Sequence, residues 1–389
     1  MLCAIRRALL PLVLLSSPLL HAAGNIQVLE GVLGKMPIVV ELHLESERVE
    51  GRYFYRKHLL DLPLEGTVTA GGMQLQEGYE RFGEPLPQLA LTPTEEGGWK
   101  GQWRSPQGRV FAVQLAPVRL EALPAGADAF WVDLYQRQPY EFIRLLASGE
   151  RQTLRESEFM GRRLQWRRDE VSGIELFELL DGYSPAQLER INLQLRERFW
   201  QEVMAFHQCQ LGGSGMGSEF DQHATPHLFS AKAVSLSLFT SYFCGGAHPD
   251  FGDVPLTIEV DSGNELTLEE VLWIGDGKPF RYDYRDDSAA PERNDTDFSN
   301  YSRYRREQLA PWLVEQLTRL YPEQMQPVAT DDDCDYSDTE IWKYPSWYLS
   351  DQGLHLGPSF ARVARACEYP EWSVLPYEVI RQQPGRVKL

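Results

Sequence analysis

The chain has 389 residues, with 56 Asp and Glu against 38 Lys and Arg and a formal net charge of −18. Such an acidic balance argues against nucleic acid or anionic lipid as a partner, and it favours solubility and fast encounter with cationic molecules. At this length more than one hydrophobic core is expected, and so two or three domains.

The first element is a leader. Arg6 and Arg7 precede the apolar run ALLPLVLLSSPLL at 8–20, and small residues follow at 22–24. A positive start, a short apolar stretch and a small-residue cleavage zone make residues 1–23 a secretory signal peptide, with the mature chain periplasmic or secreted. The run is too short to span a bilayer, and no other stretch is apolar enough, so no membrane insertion is expected. Cleavage removes Arg6 and Arg7 and takes the charge from −18 to −20. Four cysteines remain: Cys209, Cys244, Cys334 and Cys367. In an oxidising compartment an even set indicates two disulfides, with three possible pairings. Pairing of nearest neighbours, Cys209 with Cys244 and Cys334 with Cys367, closes one modest loop each.

Residues 25–118 read as an antiparallel β-meander, either a small barrel or a sandwich. MPIVVELHLE at 36–45 and VEGRYFYRKH at 49–58 flank a polar turn. The second segment places Tyr53 and Tyr55 on one face and Phe54 on the other. Gly71 and Gly72 are a hairpin signal inside LEGTVTAGGMQLQE at 64–77, and residues 105–108 make a turn between strands carrying Trp99, Trp103, Phe111 and Val113. The run GVLGKMPIV followed by GRYFY resembles a small exported β-domain found in many bacterial proteins.

The stretch at 117–129, with its prolines, alanines and glycine, is the boundary to a second domain at 119–389. PYEFIRLLASG at 139–149 reads as a short helix, and GRRLQWRR at 161–168 with GIELFELL at 173–180 as two strands. The clearest helix spans 184–210. Ser184 is its N-cap, Pro185 its first residue, and Gln187 completes a capping box. Leu188, Ile191, Leu195, Phe199, Val203 and Phe206 give it one apolar stripe. GGSGMGS at 212–218 is a linker: Ser214 lacks the glycine at 216 that a nucleophile elbow needs. KAVSLSLFTSYFC at 232–244 is a strand. PLTIEVDSGNELTL at 255–268 turns at 261–264, LEEVLW at 268–273 is a helical turn, and a helix at 300–321 starts or kinks at Pro311. IWKYPSWYLSDQGLHLGPS at 341–359 and VLPYEVI at 374–380 supply the last strands. The second half is therefore α+β, with helices packed on one face of an antiparallel sheet.

Three segments of this half resemble a known family. They are IELFELLDGYSPAQLERINLQL, YFCGGAHPDFGDVPLTIEVDSGNELTLEEVLW and GLHLGPSFARVARACEYPEWSVLPYEVI. Together they are similar, over roughly residues 170–383, to the extracytoplasmic domain of the anti-sigma factor RsiV and the accessory domain of the peptidoglycan deacetylase PdaC. The most specific part is Gly245, Gly246, Ala247, His248 and Pro249. Here a β-domain stands where a deacetylase domain would. The resemblance implies binding of lysozyme, of another cationic protein or of a peptidoglycan-related ligand, rather than chemistry.

The chemical candidates point the same way. Cys244 and His248 would make a thiolate–imidazole pair only if Cys244 were free. With a disulfide there, the two glycines provide a turn, Pro249 extends the backbone at His248, and the imidazole hydrogen-bonds within that turn. His223 and His227 have the spacing of two ligands on one helix face, but Pro226 interrupts that helix, so no metal is expected. In TDDDCDYSDTE at 330–340, Asp331, Asp333 and Asp335 alternate as in a calcium loop, but Tyr336 and Trp342 replace the required glycine and glutamate. Asp331, Asp332, Asp333 and Asp335 are instead a candidate docking surface for a basic partner, with Trp342 and Trp347 as candidate aromatic anchors. No catalytic residue and no cofactor is assigned. Two other readings compete: an immunity protein that neutralises an antibacterial effector, and a cell-wall hydrolase or deacetylase.

Overall fold

A computed structural model describes residues 25–69, 71–79, 83–213, 216–283, 294–328 and 334–389. The leader at 1–23 and the candidates Asp331, Asp332 and Asp333 lie outside the described residues.

The meander closes. Eight antiparallel strands, β1 (Asn25–Leu33), β2 (Met36–Glu45), β3 (Arg48–Tyr55), β4 (Asp61–Thr69), β5 (Gly72–Glu77), β6 (Gln88–Pro93), β7 (Trp99–Arg104) and β8 (Val110–Pro117), pair in sequence. β1 then bonds back to β8. Ile38, Val40 and Leu42 point inward from β2, and Tyr53 does so from β3. Glycines allow the bending that closure needs: a Cβ on Gly31 would stand 1.8 Å from the Gln114 carbonyl oxygen, and one on Gly66 would stand 1.9 Å from that of Gln74. Thr69 pairs with Gly72, so Gly72 is the first residue of β5 rather than part of the turn. The barrel interior is filled; the space between Leu33, Tyr53, Leu91 and Leu115 is about 10 Å³, too small for a ligand.

The alternation in β3 joins the barrel to the rest. Tyr53 is inside, while Phe54 emerges on the outer wall and enters the next hydrophobic core with Val39 and Leu59. That core is built on helices α1 (Ala129–Arg137) and α2 (Pro139–Ser148), and on strands β9 (Gln152–Phe159), β10 (Arg162–Arg168) and β11 (Glu175–Leu179). Beside Phe54 the contact becomes ionic. Arg144 of α2, fully buried, holds Asp61 at 2.6 Å and Glu141 at 3.0 Å, and Arg52 reaches Glu141 at 3.0 Å. The Tyr140 hydroxyl donates to Asp61 at 2.6 Å. Arg52 also holds Glu41 at 3.0 Å, so two cations are shared among three carboxylates, and each buried acid has an arginine beside it.

Helix α3 (Pro185–Gly212) crosses this core, with both hydrogen bonds of the Ser184/Gln187 capping box formed. The second half is α+β as expected, with its antiparallel strands divided among three small sheets rather than one: β11–β10–β9, then β12 (Glu219–Phe229), β13 (Ala233–Phe243) and β14 (Asp250–Asp253) with β15 (Leu256–Glu259) also on β13, and last β16–β17–β18. The last three are Ser346–Leu349, Gly353–Gly357 and Val374–Pro376. Helices α4 (Leu268–Val271), α5 (Phe298–Tyr304), α6 (Ala310–Leu320) and α7 (Tyr377–Ile380) complete the C-terminal part, whose separate core centres on Leu313, Trp342 and Leu354. Residues 377–380, read as strand, are α7. Near Pro311, where a start or kink was expected, α6 begins at Ala310 with the proline in its first turn, and the chain runs into it from α5 through an irregular stretch. Residues Arg305–Leu309 form a π-turn, with the Ala310 N–H bonded to the Arg305 carbonyl, and this absorbs the missing proline donor.

Candidate functional site

The sulfur at Cys244 is bonded to Cys209, and Cys334 is bonded to Cys367. Cys244 therefore offers no nucleophile. Gly245 and Gly246 have φ of 81° and 112°, and a Cβ on Gly245 would meet the Gly212 carbonyl oxygen at 2.5 Å. The motif needs glycine because the strand end lies against the end of α3.

His248 does not bond within its turn. Its Nδ1 lies 2.7 Å from Nη2 of Arg362, 114 positions away. Asp250 accepts from Arg365 at 2.8 Å. The motif thus clasps the short helical segment Arg362–Cys367, whose last residue carries the second disulfide. Turn geometry could be read from the sequence, but the arginines that arrive from the far end of the chain could not.

The clasp fixes β14, and β14 ends at Asp253, a residue the sequence reading did not single out. Two connected cavities meet there. One, of about 560 Å³, is lined by Tyr282, Phe298, Tyr301, Tyr344 and Trp347, with Glu265, Asp283 and Arg305. The other, of about 470 Å³, is lined by Phe251, Tyr344 and Tyr369, with Arg365 and Glu368. Asp253, Val254, Tyr344, Ser346 and Ser359 belong to both, so they form one cleft. At its mouth Phe298 and Tyr344 are exposed.

Charge in the cleft is largely spoken for. Arg305 is buried against Glu269 at 2.7 Å and lies 4.9 Å over the Tyr301 ring. Arg365 is held by Asp250 and Glu368. Among the described residues no cation comes within ion-pair distance of Asp253, and its buried Oδ1 has no hydrogen-bond partner. Burial pushes this carboxyl up to about 6, with the Ser237 hydroxyl acting in the opposite sense.

Behind Asp253, Ser237 also meets His227 Nε2 at 2.9 Å. The His227 ring stacks on Tyr348 at 3.8 Å, and Tyr348 stacks on His355 at 4.5 Å, tying β12 to β16 and β17. Burial, and then the His355 charge, lower His227 to about 4. His223 and His227, whose spacing would suit one face of a helix, both lie on β12. Pro226 sits at a register shift where its missing N–H is tolerated. His223 points to Asp221 at 3.1 Å on the exposed surface. Among the described residues no three His, Cys, Asp or Glu side chains are grouped to hold a metal.

The two tryptophan candidates part company. Trp347 lines the cleft, whereas Trp342 is fully buried, its Nε1 donating to the Tyr336 carbonyl at 2.9 Å. It is a core residue and not a surface anchor, because the 3₁₀ turn Thr339–Trp342 directs it against α6. Asp335 is half-buried and accepts from Ser337 at 2.6 Å. Among the described residues, no helix is long and apolar enough to cross a membrane.

No protein-family model matches the chain, and no curated protein matches it either.

Proposed function

We propose that the chain is an exported, non-catalytic binding protein that captures a basic polypeptide of the lysozyme kind in the periplasm, using the cleft at Asp253. The observation that carries this reading is an aromatic cleft whose own cations are already paired while Asp253 is not. Tyrosine, tryptophan and carboxylate together suit a lysine or arginine side chain, which stacks on the rings and neutralises the acid. The acidic balance, −18 for the whole chain and −20 once Arg6 and Arg7 are removed, would steer such a partner inward. The resemblance to the RsiV-type domain supports the same class of ligand.

Calorimetry with lysozyme at low and at moderate salt tests the reading. Binding that weakens as salt screens the charges is expected. Absence of salt-sensitive binding removes lysozyme as the ligand.

A further inference from the structure

The cleft also says which part of a partner it takes. On β14 the Asp253 N–H donates to the Tyr369 hydroxyl at 3.0 Å, and the Phe251 N–H donates to the Asp250 carboxylate at 2.9 Å. These donors are therefore closed to an added strand, and recognition has to go through side chains rather than backbone pairing. The acids around the cleft differ in what they already hold. Glu265 lies 3.4 Å from Arg198, and Asp283 lies 3.9 Å from Arg281. Glu368 and Glu269 hold Arg365 and Arg305. Asp253 sits at the junction of the two cavities; the Ser237 hydroxyl and the Leu238 and Val254 N–H groups bond its carboxylate, Tyr348 and Tyr369 lie near, and none of these carries a positive charge. A half-buried carboxylate with one inaccessible oxygen and no counter-ion is costly to keep charged, and a cation supplied by a ligand reduces that cost.

We propose that Asp253 is the anchor for one lysine or arginine side chain of the bound polypeptide, with the rings of Tyr344 and Trp347 flanking its aliphatic stem. This rests on the basic-partner reading above and narrows it to one residue on each side.

The test uses the mature protein and two short peptides that differ only in lysine against norleucine, titrated by calorimetry at low salt, together with the Asp253→Asn variant. The lysine peptide should bind saturably. Replacement by norleucine, or the D253N substitution, should each weaken binding at least tenfold. Equal binding of the two peptides, undiminished binding by D253N, or no binding of the lysine peptide would each overturn the proposal. The peptide comparison needs only the unaltered protein, so it decides even where the variant fails to fold. A protein that takes lysozyme but gives any of these results loses the anchor and keeps the basic-partner reading; one that takes neither loses both.

Discussion

Arg365 Nη1 lies 2.8 Å from Oδ1 of Asp250, joining residues 115 positions apart at the base of the cleft. The same carboxylate has Arg362 at 3.7 Å, and Arg362 in turn meets His248. The GGAHP motif is thus a structural clasp: it sets the direction of β14 and so the place of Asp253.

A double-mutant cycle on Arg365→Ala and Asp250→Ala should return a coupling of roughly 0.5–1 kcal/mol, as for a partly exposed ion pair. Each single substitution removes two ionic contacts, since Asp250 also faces Arg362 and Arg365 also holds Glu368, so the cycle is needed to isolate the pair. Urea unfolding of the four proteins gives the numbers, and a zero coupling would contradict the clasp.

The disulfides can be checked directly. Alkylation of the unreduced mature protein should leave Cys209, Cys244, Cys334 and Cys367 unlabelled, and reduction should expose all of them. Replacing Cys209 and Cys244 together by serine opens a loop of 35 positions and should cost about 2–4 kcal/mol. Mass spectrometry and denaturant titration read the two effects.

Arg144 is fully buried and holds two carboxylates between the barrel and α2. Arg144→Met should lose about 3–5 kcal/mol, because Asp61 and Glu141 stay buried with only Arg52 beside them. Adding Asp61→Asn to that variant should recover part of the loss in the same unfolding assay.

Stability should fall as the solution is acidified below about pH 6.5. Burial first, then the charges of Arg144 and Arg52, push the His207 ring down to about 2, against 6.5 in the unfolded chain. Below pH 6.5 the unfolded chain therefore takes up a proton that the fold refuses, at up to about 1.4 kcal/mol per pH unit. His227, lowered to about 4, adds in the same sense. Asp253 runs the other way: its folded carboxyl, near 6 against 3.8, binds the proton more tightly than the unfolded chain does. Its contribution to stability therefore drops as pH rises from about 4 to about 6. Unfolding midpoints between pH 4 and 8 should show a shallower slope for His207→Gln, and a higher midpoint at pH 7 for Asp253→Asn.

What the sequence could show was local. Ser184, Pro185 and Gln187 announce the start of α3 through bonds made within one turn. The alternation of Tyr53 and Phe54 gives the two faces of β3, though nothing in that segment says that Phe54 faces a second core. Barrel closure rests on β1 meeting β8, a pairing between distant segments. β12 was missed because Pro226 and two histidines four apart look like a broken helix, and only a partner strand with a register shift makes them extended. Trp342 and Trp347 are five positions apart with similar neighbours, and tertiary packing alone sends one inward and one to the cleft. Asp253 carried no local mark, because its isolation from cations is a property of the assembled cleft.

The sulfur bridge from Cys334 to Cys367 encloses the 3₁₀ turn, β16 and β17. A peptidase that nicks the backbone between these two positions leaves the downstream fragment, with β18 and α7, covalently tethered. In a compartment rich in proteolytic enzymes, such a cut would be silent on a non-reducing gel and would not by itself shed the wall of the cleft that Trp347 provides.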